Sequence, residues 1–116
     1  MLNLVILKGR VVRDATLAKT QSGTPVLPFS IAVQRKGNKD KADFFDCVAW
    51  SALAERYAGK LWKGRTIEVI GSLQNHDYED RNGVKKRRDE IAVSEIYSSD
   101  WGQKTEASTD EGSLPF

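Results

Sequence analysis

The chain has 116 residues, a net charge of +2, one cysteine and one histidine. A lone cysteine excludes an internal disulfide, and one Cys with one His makes no credible zinc site; with no leader-like start and no apolar run near the ~20 residues of a membrane span, a soluble cytoplasmic protein is the expectation. Residues 1–99 hold 17 Lys and Arg against 12 Asp and Glu, while residues 100–116 hold Lys104 against Asp100, Glu106, Asp110 and Glu111, a basic body that suits a polyanion and an acidic end with a separate role.

In chain order the dominant period is two. Leu4-Val5-Ile6-Leu7 opens a strand running to about Arg13. Ser22-Gly23-Thr24-Pro25 forms a turn before a second strand, Val26 to Gln34. Arg35, Lys36, Lys39 and Lys41, with Gly37 and Asn38 between them, read as a flexible basic loop. Asp43 to Trp50 is the third strand. Leu53, Tyr57 and Leu61 then recur at four-residue spacing, which predicts a helix that Ser51 caps and Gly64 ends. Thr66 to Tyr78 is a fourth strand, and Lys85 to Tyr97 a fifth. Between them Asn82-Gly83 suits the positive φ angles of a tight hairpin turn. Three strands, a helix and two strands are the order of a mainly β, five-stranded OB-fold barrel. The domain spans residues 1–98. Residues 99–116 are polar and small apart from Trp101 and the end itself, and read as a disordered linker and an acidic tip.

The third strand carries the most chemistry. Alternation places Phe45, Cys47 and Ala49 on one face, suited to the barrel interior. Phe44, Asp46, Val48 and Trp50 fall on the other, which Asp46 marks as wet. Aromatics on a solvated face are what base stacking needs, at ~1–3 kcal/mol per base; the competing reading packs them beneath loops or at a subunit contact. Gln74, His76 and Tyr78 share a face of the fourth strand. Lys85-Lys86-Arg87-Arg88 follows the hairpin, and four cations beside an aromatic suit a phosphate backbone, although lysines also guard sheet edges. Asp77 and Glu79 share a face but Asp80 does not, so a metal-dependent nuclease site is not assembled.

These stretches resemble bacterial and bacteriophage single-stranded DNA-binding proteins. The matching segments are Asn3 to Arg10, Val26 to Val33, Phe44 to Glu55, Lys63-Gly64, Ile70 to Gln74 and the Tyr78 hairpin, with Leu114-Pro115-Phe116 behind Asp110 and Glu111 like the family's acidic tip. Two departures stand out. The basic loop lacks the aromatic that relatives often carry there, and Gly112-Ser113 separate the acids from the tip. The resemblance implies a non-enzymatic, sequence-independent binder of single-stranded DNA in replication, recombination and repair, without a cofactor or metal. It places stacking on Phe44, Trp50 and Tyr78. Phosphate contact is expected from Lys8, Arg10, Arg35, Lys36, Lys39, Lys41, Lys85, Lys86, Arg87 and Arg88. Asp110, Glu111, Leu114, Pro115 and Phe116 would recruit replication, recombination and repair proteins, and the assembly implied is a homotetramer. An OB-fold RNA- or tRNA-binding module and a protein-interaction adaptor are the alternatives.

Overall fold

The computed structural model describes residues 1–99, apart from the Lys39 side chain. The described chain forms strands β1 (Val5–Val11), β2 (Ala18–Lys19), β3 (Pro25–Arg35) and β4 (Asn38–Trp50), helix α1 (Ser51–Tyr57), and strands β5 (Thr66–Glu79) and β6 (Lys85–Tyr97). Five long strands close on themselves: β1 pairs with β5, β5 with β6, β6 with β4, β4 with β3, and β3 back to β1. All these pairings are antiparallel except β4–β6, which runs parallel. The two-residue β2 adds to the edge of β3. This is the expected OB-fold barrel, with one helix among the described residues, between the third and fourth long strands.

Alternation builds the interior. Leu27, Phe29 and Ile31 from β3, Cys47 and Ala49 from β4, Ile67 and Val69 from β5, and Ile91, Val93 and Ile96 from β6 form one buried cluster. Helix α1 plugs one end with Ala54 buried and Leu53 and Tyr57 packed behind it. The Tyr57 hydroxyl donates to the Ile96 carbonyl at 3.1 Å, so the phenol enters an apolar plug without losing a hydrogen bond. Trp62, past the helix, has the Arg65 guanidinium 3.9 Å from its ring centre, a cation–π contact that gives it a structural role.

Four expectations about local structure change. Ser51 is not a cap: Trp50 occupies the N-cap position in extended conformation without a side-chain cap bond, because the chain passes directly from β4 into the helix. The helix ends at Tyr57, and Gly59, with φ +80°, turns the chain away well before Gly64; Leu61 is buried from the segment that follows. The basic segment is not a loop: β4 begins at Asn38, so Lys39 and Lys41 lie on a strand and only Lys36-Gly37 turn. In the β5–β6 hairpin only Gly83 has positive φ. Asp80 organises that turn, its Oδ1 accepting the amides of Asn82 at 2.9 Å and Val84 at 3.0 Å. The Val84 amide above all, with Asn82 and Lys86 helping, holds the Asp80 carboxyl below its ordinary range.

Cys47 is 2% exposed. Burial first, and the nearby Asp46 charge second, push its thiol up to about 12 from 9.0. A thiol so protonated is a poor nucleophile. The folded chain is therefore expected to resist a disulfide-exchange reagent at pH 8, with full reaction only in denaturant; rapid labelling of the native chain would contradict this burial. The sign for stability follows: the raised value favours the fold fully below the unfolded-chain value of 9.0, and that favour is lost as pH climbs towards about 12.

Candidate nucleic-acid interface

The outer face of β4 carries the site. Phe44 is 66% exposed and Trp50 44% exposed, on the same side of the strand by alternation. Asp46 shares that side and is exposed. Val48 shares it too but is only 6% exposed: it sits opposite Ala92 at the β4–β6 seam and lines the floor of a groove of about 380 Å³. Trp50, Asp46, His76, Arg88 and Arg13 also line this groove. Trp50 thus meets the β5–β6 hairpin across a concavity, although the two are far apart in sequence.

A second groove, of about 610 Å³, runs along the hairpin and includes Tyr78, Lys85, Lys86 and Arg87. Tyr78 is 40% exposed and carries the Arg88 guanidinium 5.5 Å from its ring centre. Strand pairing divides the run of four cations. Lys86 lies opposite Tyr78 and Arg88 opposite His76, so these two share the aromatic side. Lys85 lies opposite Glu79 and Arg87 opposite Asp77, on the other side, and Arg87 Nε is 3.3 Å from Asp77. Lys86 Nζ lies 3.3 Å from Asp80, a partly exposed pair that an incoming phosphate can outcompete.

A third groove, of about 630 Å³, is lined by Lys8, Arg10, Ala32, Asp40, Lys41 and Ala42. Arg10 lies opposite Ala32, and Ala32 opposite Phe44. The small Ala32 lies between an exposed ring and a guanidinium. Lys8 and Arg10 therefore lie on the Phe44 side of the sheet, while Lys41 borders their groove from the alternate position of β4. Arg35 does neither. Its guanidinium bonds Asp43 through Nε at 3.1 Å and Nη2 at 3.0 Å, on the strand side opposite Phe44. The hydrogen bond to Asp43 raises the Arg35 pKa, and the same bond lowers that of Asp43. Lys36 is exposed at the β3–β4 turn, away from all three grooves. Lys39 by its side chain, and Asp110, Glu111, Leu114, Pro115 and Phe116 entirely, lie outside the described residues.

Residue reasoning missed Arg13, because the chain bends after β1 and strand parity no longer says where it faces. It also missed Glu90, which is 7% exposed behind the first groove, with Oε2 accepting from Gln74 at 3.1 Å and Oε1 3.6 Å from His76 Nδ1. The division of the four cations predicts unequal effects. Binding should weaken with salt at a slope near ~0.7 per phosphate contact. Neutralising Lys86 and Arg88 together is expected to flatten that slope more than neutralising Lys85 and Arg87; equal flattening would show that the hairpin is contacted on both sides.

The profile of the single-strand binding protein family matches residues 2–99. The single-stranded DNA-binding protein of Clostridium tetani is 36% identical over 107 residues, covering 89% of this chain and 74% of the relative. That of Borreliella burgdorferi is 38% identical over 110 residues, covering 90% and 74%. Single-stranded DNA-binding protein 1 of Streptococcus agalactiae is 34% identical over 119 residues, covering 99% and 70%.

Proposed function

The chain belongs to the single-strand binding protein family, and from that premise we propose that it binds single-stranded DNA with little regard to sequence and takes part in replication, recombination and repair. The observation that carries this reading is the pairing of exposed Phe44 and Trp50 on one strand face, with the Lys8, Arg10 and Lys41 groove on one side and the Arg13 and Arg88 guanidiniums beside Trp50. Rings accept any base, and cations accept any phosphate. The mechanism is a binding one: stacking holds the bases, charge holds the backbone, and the occupied strand is kept from re-pairing. The experiment is a mobility shift with oligo-dT, oligo-U and duplex DNA. Oligo-dT should bind most tightly; tighter binding of oligo-U would favour an RNA module, and binding of none would favour a protein adaptor.

The proposal extends to assembly and recruitment. Leu4 and Ile6, at the start of β1, are 61% and 63% exposed, and Tyr97, on β6 beyond β5, is 47% exposed; these exposed apolar side chains support a homotetramer, to be measured by sedimentation. The segment Asp110-Glu111 to Leu114-Pro115-Phe116 resembles an acidic recruiting tip: an apolar pocket takes the ring, a basic rim takes the acids, and C-terminal capture supplies the mode. Deleting residues 113–116 is expected to leave oligo-dT affinity equal or slightly tighter and to abolish capture of replication and repair proteins. Undiminished capture by the truncated chain would remove the tip from this role.

A further inference from the structure

Asp46 stands on a face that a polyanion is expected to cross. It lies two residues from Phe44 on the same side of β4, ~7 Å along the strand, and lines the groove that holds Trp50 and Arg88. Its position is fixed. Ser30 is its direct cross-strand neighbour, and the Ser30 hydroxyl donates to Asp46 Oδ1 at 2.8 Å. This leaves the second carboxylate oxygen for another donor. Phosphate is repelled by such a group. The donors that a stacked strand brings to the edge of an aromatic ring are the exocyclic amino groups of the bases and the ring N–H groups of guanine, thymine and uracil. Cytosine offers N4, adenine N6 and guanine N2 beside its N1–H, whereas thymine and uracil flank their one N3–H with two carbonyl oxygens that repel a carboxylate. Of the groove's other two carboxylates, Glu90 is held by Gln74 within its own hairpin and Asp14 accepts the Lys63 amide at 2.7 Å.

Resting on the reading of this face as a single-stranded DNA interface, we propose that Asp46 is a base-discriminating residue, which favours an amino-bearing base over uracil or thymine at the position stacked on Phe44. One fixed acceptor at one position tilts base composition without spelling a sequence, so the binder remains sequence-tolerant.

The test compares oligo-dC with oligo-dU of equal length, at pH 8 and fixed salt, by fluorescence anisotropy. The two bases differ at the 4-position and the adjacent ring nitrogen, and neither carries the thymine methyl. The readout is the ratio Kd(dU)/Kd(dC). Asp46→Asn removes a charge and should tighten both oligonucleotides, but its amide can turn a donor towards the uracil carbonyl. The ratio should therefore fall about threefold to tenfold, the scale of one net hydrogen bond. Ser30→Ala keeps the charge and frees the carboxylate to swing, so the ratio should fall by a smaller factor. An unchanged ratio in folded Asp46→Asn, with both oligonucleotides still bound, overturns the inference and leaves the interface standing. Should Asp46→Asn not fold, an unchanged ratio in Ser30→Ala overturns it. Failure of the unaltered chain to bind either oligonucleotide overturns the interface itself, and this inference with it.

Discussion

Replacing Trp50 with alanine is expected to weaken oligo-dT binding by ~1–3 kcal/mol, about fivefold to 150-fold, while the barrel stays folded. Trp50 is the last residue of β4, 44% exposed, and outside the buried cluster. Its ring borders a groove whose opposite wall carries His76 and Arg88. A base lying on the indole would therefore stack on one side and have a cation within reach of its phosphate. The fold should survive because strand pairing of Trp50 with Val26 runs through the backbone. Intrinsic fluorescence of the unaltered chain should fall on adding oligo-dT, and most of that change should vanish in Trp50→Ala. A folded variant with undiminished affinity would take Trp50 out of the interface. Phe44→Ala is the natural companion measurement, since the two rings share the face.

Gly71→Ala is expected to act on the fold instead, costing ~1–3 kcal/mol towards the upper end. A Cβ at Gly71 would lie 2.2 Å from the Ala92 carbonyl oxygen and 3.1 Å from Val93 Cα. Both are backbone atoms of the neighbouring strand and cannot rotate away. The residue sits where the β5–β6 register shifts between Ile70 and Gly71. An irregularity of this kind bends a strand so that a small barrel can close. Gly9 occupies a comparable place on β1, where an added Cβ would lie 2.5 Å from the Ala32 carbonyl oxygen. Urea denaturation reads the effect as a lowered midpoint with an unchanged slope. A midpoint equal to that of the unaltered chain would show that β6 can move aside. Oligo-dT affinity per folded molecule should change little, because Gly71 touches none of the three grooves.

Much of this was legible where one side of a strand is buried. Leu27, Phe29 and Ile31 alternate with outward neighbours, as do Cys47 and Ala49, so both the strand and its facing can be read from residue type. Phe44, Trp50 and Tyr78 stand out as large rings on the wet side of that pattern, and all three are exposed. Legibility ends where the β3–β4 and β5–β6 hairpins project beyond the barrel. There neither side is buried, so nothing in the hydrophobicity marks Lys39 and Lys41 as strand residues. In Lys85 to Arg88 the alternation was available but was masked by four like charges in a row; pairing partners, not charge, decide which two face Tyr78. The turn at Asp80 had a local signal, since an aspartate two residues before Asn82 can accept amides ahead of it. Arg35 could not be placed from sequence, because its commitment to Asp43 depends on register across a hairpin.

The parallel seam has a dynamic consequence. It joins β4 to β6 through only two register pairs, Cys47 with Ile91 and Val48 with Ala92, as few as close β3 on β1, whereas β5 and β6 pair along almost their whole length. A barrel parts first where its staves are least tied, so the amides beside Val48 should exchange with solvent sooner than those of central β5. Val48 is also the groove floor. A strand laid across that groove would clamp β4 to the hairpin, and slowed exchange at the seam would then report occupancy from inside the barrel wall.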